Sequence, residues 1–282
     1  MQYLNFNGKL IPAGTAIIDA DNRGLRFGDG LFETIKYKNG ELQLIDLHLD
    51  RLWQGLAALM FDIPRLFTKE YLTREIAKLI HKNRLTHARI RLLIIRGKGG
   101  LFDPENLHPV FVIQSWPLDD DFGKLNSNGL ELCFYGDAIK SCDSFSHLKH
   151  NNFLPYLMGA LFAKSNHCND AIILNEHRRI ADTTIANIFS IHEGAIYTPP
   201  LAEGCIAGTM RQFLLDHLPK KGFKIVETPL TKEFLLEADE VFLTNAMSPV
   251  KWVRAIGEKE FSRDTILDIH RSLSQTFPAI FC

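Results

Sequence analysis

The feature that most constrains the fold of this chain is the order of its periodic segments. Strand-like runs outnumber helical ones, and the two kinds come in blocks without regular β-α-β alternation. Ala88-Arg89-Ile90-Arg91-Leu92-Leu93-Ile94-Ile95-Arg96 reads as a strand, and Val110-Phe111-Val112-Ile113-Gln114 follows it. Leu4 to Pro12 reads as a strand and turn, with a second short segment at Ala16–Ile18. Phe27-Gly28-Asp29-Gly30 reads as a tight turn feeding a strand that reaches Tyr37. Asn39-Gly40 is a hairpin signal, with Leu42–Ile45 as the returning strand. From His48 to Met60, the residues Leu49, Leu52, Trp53, Leu56 and Met60 recur at three- and four-residue steps, the spacing of one apolar helix face. A second helix spans Thr68–Asn83.

The polar, Pro- and Asp-containing stretch from Trp116 to Asn128 is the best linker in the chain. It divides a smaller N-terminal α+β domain (1–115) from a larger C-terminal domain (129–282), with 116–128 between them. The second half offers a strand at Leu130–Tyr135 and a helix from about Asn152 to Ser165. Strands follow at Asp170–Leu174 and Ile185–Ile191, then a helix at Gly208–His217, then strands at Lys224–Thr228 and Glu240–Leu243. Pro155 fits that first helix only in its first turn, where no backbone N–H is needed. The expected class is therefore α+β in two domains.

Bulk properties remove several classes of function. The 282 residues carry a formal net charge of −1, so no overall field draws the chain to nucleic acid or an anionic membrane. No apolar stretch approaches the roughly 20 residues that span a bilayer, and the N-terminus shows no secretion signal. Five scattered cysteines without a C-x-x-C pair suggest neither zinc nor disulfides, and point to reduced thiols in the cytoplasm. His147 and His150 flank Lys149 without nearby Cys or acid ligands, so no metal is expected.

Four separated pieces carry chemistry. Lys149 lies in Ser146-His147-Leu148-Lys149-His150-Asn151-Asn152-Phe153-Leu154, and Arg51 in His48-Leu49-Asp50-Arg51-Leu52. Asp182 stands before Ala186-Asn187-Ile188-Phe189, and a glycine-containing loop runs Ala207-Gly208-Thr209-Met210-Arg211. A nucleophilic amine, a guanidinium fork, an acid and a glycine before a helix are the parts that pyridoxal 5′-phosphate (PLP) requires. It needs a lysine for its Schiff base, a partner for its ring nitrogen and a cradle for its phosphate.

In this order the pieces resemble the fold-type IV (class IV) PLP enzymes. That family includes branched-chain and D-amino-acid aminotransferases and 4-amino-4-deoxychorismate lyase. The resemblance covers nearly the whole chain, from the N-terminal Asn7-Gly8 strand and Phe27-Gly28-Asp29-Gly30-Leu31-Phe32-Glu33-Thr34 to Ala238-Asp239-Glu240-Val241-Phe242-Leu243-Thr244-Asn245-Ala246 and Pro249-Val250. It implies a two-domain, D-amino-acid-aminotransferase-like α+β fold, and a homodimer acting on a small amino substrate. Lys149, Asn152 and Leu154 meet the family's Lys-x-x-Asn-x-Leu pattern, which makes Lys149 the Schiff-base lysine. Desolvation would lower its pKa from about 10. Arg51 matches the arginine that grips the cofactor phosphate, where a planar fork suits phosphate oxygens. Gly208, Thr209 and Met210 match the phosphate loop. Asp182 sits where the family usually carries glutamate to keep the pyridine nitrogen protonated, and is one methylene shorter.

Thr34 falls where the lyases have a threonine, and its hydroxyl would relay a proton to the departing fragment. Phe32, Asn245 and Ala246 are expected on the substrate side. Arg91 matches a substrate-pocket arginine of branched-chain aminotransferases. Phe153 replaces a polar or variable residue of both groups, and Leu101 stands where a lyase often has arginine. The lyase, giving 4-aminobenzoate and pyruvate, is the first expectation. An aminotransferase of branched-chain or D-amino acids using 2-oxoglutarate is the second, and a non-catalytic PLP-binding relic the third.

Overall fold

The computed structural model describes residues 1–119 and 123–281. Its contacts divide the chain into two compact units. Unit 1 is Met1–Asp120 with Leu148–Asn152, and unit 2 is Asp121–His147 with Phe153–Cys282.

Unit 1 holds β1 (Tyr3–Phe6), β2 (Lys9–Pro12), α1 (Arg23–Phe27), β3 (Gly30–Lys38), β4 (Glu41–Leu42), α2 (Ile45–Ala58), α3 (Lys69–Asn83), β5 (Ala88–Arg96) and β6 (Pro109–Pro117). Its sheet has six strands in the order β2-β1-β6-β5-β3-β4. One face, with Leu31, Ile35, Ile90, Leu92, Ile94 and Ile113, packs into a core with Leu49, Leu52 and Leu56 of α2 and Leu72, Ile76 and Leu79 of α3. Alternation along β3 puts Phe32, Thr34 and Lys36 on the opposite face.

Unit 2 holds β7 (Leu130–Lys140), α4 (Leu154–Ser165), β8 (Asp170–Asn175), β9 (Ile180–Thr183), β10 (Asn187–His192), β11 (Ala195–Thr198), α5 (Thr209–His217), β12 (Ile225–Glu227), α6 (Lys232–Leu236), β13 (Glu240–Thr244), β14 (Lys251–Ile256), β15 (Lys259–Glu260), α7 (Asp264–Thr276) and α8 (Pro278–Phe281). Its nine-stranded sheet runs β12-β11-β10-β13-β14-β7-β8-β9, with β15 beside β14. Parallel pairs (β7 with β8 and with β14, and β11 with β12) mix with antiparallel ones. The class is α+β, as the segment order implies.

Several boundaries differ from the sequence expectation. The strand β6 continues through Trp116 to Pro117, so the linker is shorter than 116–128, and 120–122 lie outside the described residues. The return strand after Asn39-Gly40 covers only Glu41–Leu42, because Leu44 turns left-handed (φ 52°) and opens α2 at Ile45. Ala16–Ile18 forms no strand. Met60 is 74% exposed, since α2 ends at Ala58 and Met60 itself is left-handed (φ 57°). The lysine segment, expected in the C-terminal domain, groups with unit 1. The backbone explains why: Phe32 N donates to Lys149 O and Asn151 N to Gly30 O, both at 3.0 Å. Leu148 is also buried in the unit 1 core.

Candidate active site

Unit 1 gathers Lys149, Arg51, Phe32, Thr34 and Arg91. The bridge between Leu31 and His150 lays the lysine segment against the first residues of β3. Lys149 Nζ then sits 4.6 Å from the centroid of the Phe32 ring, and Arg91 Cζ lies 4.2 Å from the same centroid. Thr34 pairs with Arg91 across β3 and β5. Directly opposed residues of an antiparallel pair point to one side, so Phe32, Thr34 and Arg91 share a sheet face. Phe32, Glu33, Arg51, Gly55, Leu148 and Lys149 line a small recess.

Glu33 points the other way, toward α2, and organises that side. His48 and Arg51 stand three residues apart on one helix face. His48 Nδ1 lies 2.6 Å from Glu33 Oε2 and Arg51 Nε donates to Glu33 Oε1 at 2.8 Å, while Arg51 Nη2 also donates to Oε2. Glu33 and His48 are 1% and 0% exposed, so both are fully withdrawn from water. Burial holds His48 below the usual imidazole range against the pull of Glu33, with Arg51 and Lys149 adding to the effect. Neutral His48 therefore donates from Nδ1 to the carboxylate. The motif reading names Arg51 but gives no role to Glu33 or His48. Their signal, an acid flanked by strand residues and a His three residues before an Arg, becomes specific only once the strand and helix pack.

Unit 2 gathers Asp182, Gly208, Thr209, Met210, Asn245 and Ala246. Asp182 is 2% exposed on β9, paired with Ile173 of β8. Tyr156 of α4 donates its hydroxyl to Asp182 Oδ2 at 3.0 Å, and Ile206 N donates to the same oxygen at 3.0 Å. Asn187 Nδ2 donates to Ile206 O at 2.8 Å, fixing the approach to α5. A Cβ on Gly208 would fall 2.0 Å from Asn187 Oδ1, so only glycine lets the backbone pass there. The helix α5 starts at Thr209 with no side-chain cap on its first turn. Thr209 and Met210 are buried. Asn245 Oδ1 accepts from Met247 N (3.0 Å) and Ser248 N (2.8 Å), and Asn245 Nδ2 donates to Ile185 O at 3.2 Å, while Ala246 is half-buried in that turn. The Phe153 ring lies 4.5 Å from that of Tyr156, so it packs where the family has a polar or variable residue.

A sequence model of the class IV aminotransferases matches residues 30–256. This chain belongs to the class IV aminotransferase family. The class IV enzymes depend on PLP, and so does this one. Among relatives, a Methanocaldococcus jannaschii protein provisionally assigned as a branched-chain-amino-acid aminotransferase is 27% identical over 97% of this chain and 94% of its own. The aminodeoxychorismate lyase of Vibrio harveyi is 27% identical over 85% of this chain and 87% of its own. The solved branched-chain amino acid aminotransferase of Escherichia coli superposes with a TM-score of 0.87 at 21% identity, over 99% of this chain and 94% of that one, which shows the shared fold.

Taken unit by unit, the groups are of the kinds that PLP takes. Unit 1 offers an amine and a guanidinium bonded by a carboxylate, and unit 2 a buried acid with an anchored oxygen and a helix start where a Cβ would crowd Asn187. Among the described residues no helix is long and apolar enough to cross a membrane.

Glu33 makes the fold acid-sensitive. Burial alone would raise its carboxyl, but the Arg51 charge and the His48 bond outweigh that and hold it at about 2, against 4.5 unperturbed. A shift of this size is worth about 3 kcal/mol. The folded value lies below the unfolded one, so that stability is complete above pH 4.5 and is lost as pH falls toward 2. Urea midpoints of the wild-type protein should drop across this window, and those of Glu33→Gln should change less. Parallel curves for the two proteins would assign the acid sensitivity to other groups.

Proposed function

We propose that this class IV enzyme is a 4-amino-4-deoxychorismate lyase, releasing pyruvate and leaving 4-aminobenzoate. The observation that carries the proposal is the hydroxyl of Thr34, on the same sheet face as Phe32, over whose ring Lys149 Nζ lies. A lyase needs a proton donor for the departing fragment, and a hydroxyl on that face supplies one. The V. harveyi relative supports this reading.

Bound PLP supplies an electron-accepting ring, and the remaining work falls to side chains. Lys149 Nζ would hold the cofactor, and as a free amine beside the substrate it would take the proton from the amine-bearing carbon. Thr34 Oγ1 passes a proton to the leaving enolpyruvyl fragment. Arg91, half-buried against Phe32, binds the ring carboxylate, and its planar fork suits that group. Arg51, oriented by Glu33, is assigned to the phosphate, and Gly208, Thr209 and Met210 are assigned to cofactor binding through their match to the family's phosphate loop. Asp182 keeps the proton on the ring nitrogen. Asn245 and Ala246 are assigned to the substrate side.

Arg91 also supports the second reading. Against the same Phe32 ring as Lys149, it would bind the distal carboxylate of 2-oxoglutarate in an aminotransferase of branched-chain or D-amino acids; the M. jannaschii relative, provisionally assigned to branched-chain amino acids, supports an aminotransferase. A relic without catalysis has no observation in its favour.

Thr34→Val separates the two enzymes. In a lyase it should lower pyruvate release about a hundredfold, the low end for a lost proton carrier, with PLP content unchanged. Undiminished release would remove Thr34 from the chemistry.

The protein is further proposed to be a cytoplasmic homodimer. On α4, Leu154, Leu157, Met158 and Leu161 form an apolar stripe at helical spacing, each at least 41% exposed, a surface suited to a second copy. Sedimentation as a monomer would contradict this.

A further inference from the structure

Asp182 differs from the expected glutamate by one methylene, and its surroundings hold it closely. Two donors, the Tyr156 hydroxyl and the Ile206 amide, converge on one carboxylate oxygen at 3.0 Å each. Tyr156 is 3% exposed and sits in the first turn of α4, next to Pro155. Its ring is held on several sides. Phe153 lies 4.5 Å away, Lys140 Nζ is 5.0 Å from the ring centroid, and Tyr135, Ala163, Ala171 and Ile173 complete its core cluster. A phenol this well packed points its O–H in one direction. Burial and the Asp182 charge push its ionisation well above the usual phenol range, so it remains a donor across the working pH range.

We infer that Tyr156 is a positioning residue for the cofactor: its hydroxyl, with the Ile206 amide, clamps Asp182 Oδ2 and so fixes the orientation and ionised state of the carboxylate that faces the PLP ring nitrogen. The inference rests on the assignment of Asp182 to that nitrogen. A short aspartate has only two side-chain torsions, and two donors on one oxygen settle the second of them. Hydrogen bonds to a carboxylate favour its charged form. A charged Asp182 in turn favours a protonated ring nitrogen. Tyr156 touches neither substrate nor cofactor in this scheme, and its influence passes entirely through Asp182.

The test uses the full chain, stripped of PLP and titrated back with it, for the wild type, Tyr156→Phe, Asp182→Ala and the double variant. Removing one hydrogen bond to a charged group should weaken PLP binding about tenfold. Tyr156→Phe should also narrow the pH range over which the visible absorption of the bound cofactor stays constant. In the Asp182→Ala background, Tyr156→Phe should change neither quantity, because the group it acts through is gone. Equal weakening in both backgrounds would show that Tyr156 acts through packing, and would overturn the inference. Unchanged affinity and pH profile in Tyr156→Phe, with both altered in Asp182→Ala, would overturn it while leaving Asp182 in place. No effect from either substitution would overturn the assignment of Asp182 itself.

Discussion

Lys149→Ala should give a folded protein with no PLP adduct trapped by borohydride, and with turnover at least about a thousandfold lower. The side chain lies over the Phe32 ring at the edge of a recess, so truncating it removes little packing. The result is informative because other buried lysines compete for the role. Lys36 is 2% exposed, and burial, helped by Lys38, brings its amine down to about 8, where a fraction is neutral at physiological pH. Lys140 is buried too, and its Nζ donates to Ser146 O at 2.8 Å. Peptide mapping of the reduced wild-type protein should place the adduct on Lys149. An adduct that survives Lys149→Ala on Lys36 or Lys140 would overturn the catalytic assignment.

Arg51→Ala should harm both cofactor retention and the fold. Glu33 is fully buried, and Arg51 bonds it through Nε and Nη2. Removing the guanidinium leaves a buried carboxylate with His48 as its remaining side-chain partner in this group, a change that costs about 3–5 kcal/mol when a buried pair is broken. Adding Glu33→Gln to Arg51→Ala removes the stranded charge and should recover much of that stability. PLP binding should stay weak in the double variant, because the phosphate partner is still missing. Urea unfolding and PLP titration on the three variants separate the two effects. Recovery of PLP binding along with stability would show that the phosphate is held by other groups.

The strands and helices with long, regular patterns were legible in the sequence. Ala88–Arg96 is a strand with those same ends, and the second helix differs only in that Thr68 is its cap, accepting from Tyr71 N. Elements that are short or buried on all sides were not. The strand β9, Ile180–Thr183, is buried at every position, so it shows no alternation to mark it. It carries Asp182 all the same. The helix α1 has five residues, too few for a period to show. The sequence reading ends at Leu243 and misses α7, although its buried Ile266, Ile269 and Leu273 fall at helical spacing.

The site divides along the same line. Lys149, Arg51, Asp182 and the Gly208 loop stand out through the resemblance to the class IV family, which expects a group of that chemistry at each position. What holds them does not. Glu33 and Arg51 are 18 positions apart, and Tyr156 and Asp182 are 26 apart. Such pairings follow from sheet register and helix docking. The placement of Lys149 with unit 1 has the same origin: backbone bonds to Gly30 and Phe32, which any residue types could make, decide it.

The central claim is most directly tested by giving the purified, PLP-loaded protein 4-amino-4-deoxychorismate with no keto acid present, and following pyruvate and 4-aminobenzoate. The account predicts many turnovers, with both products formed in equal amounts. Absence of release, with the bound cofactor converting to its amine form when branched-chain or D-amino acids are added, would contradict the lyase and establish an aminotransferase.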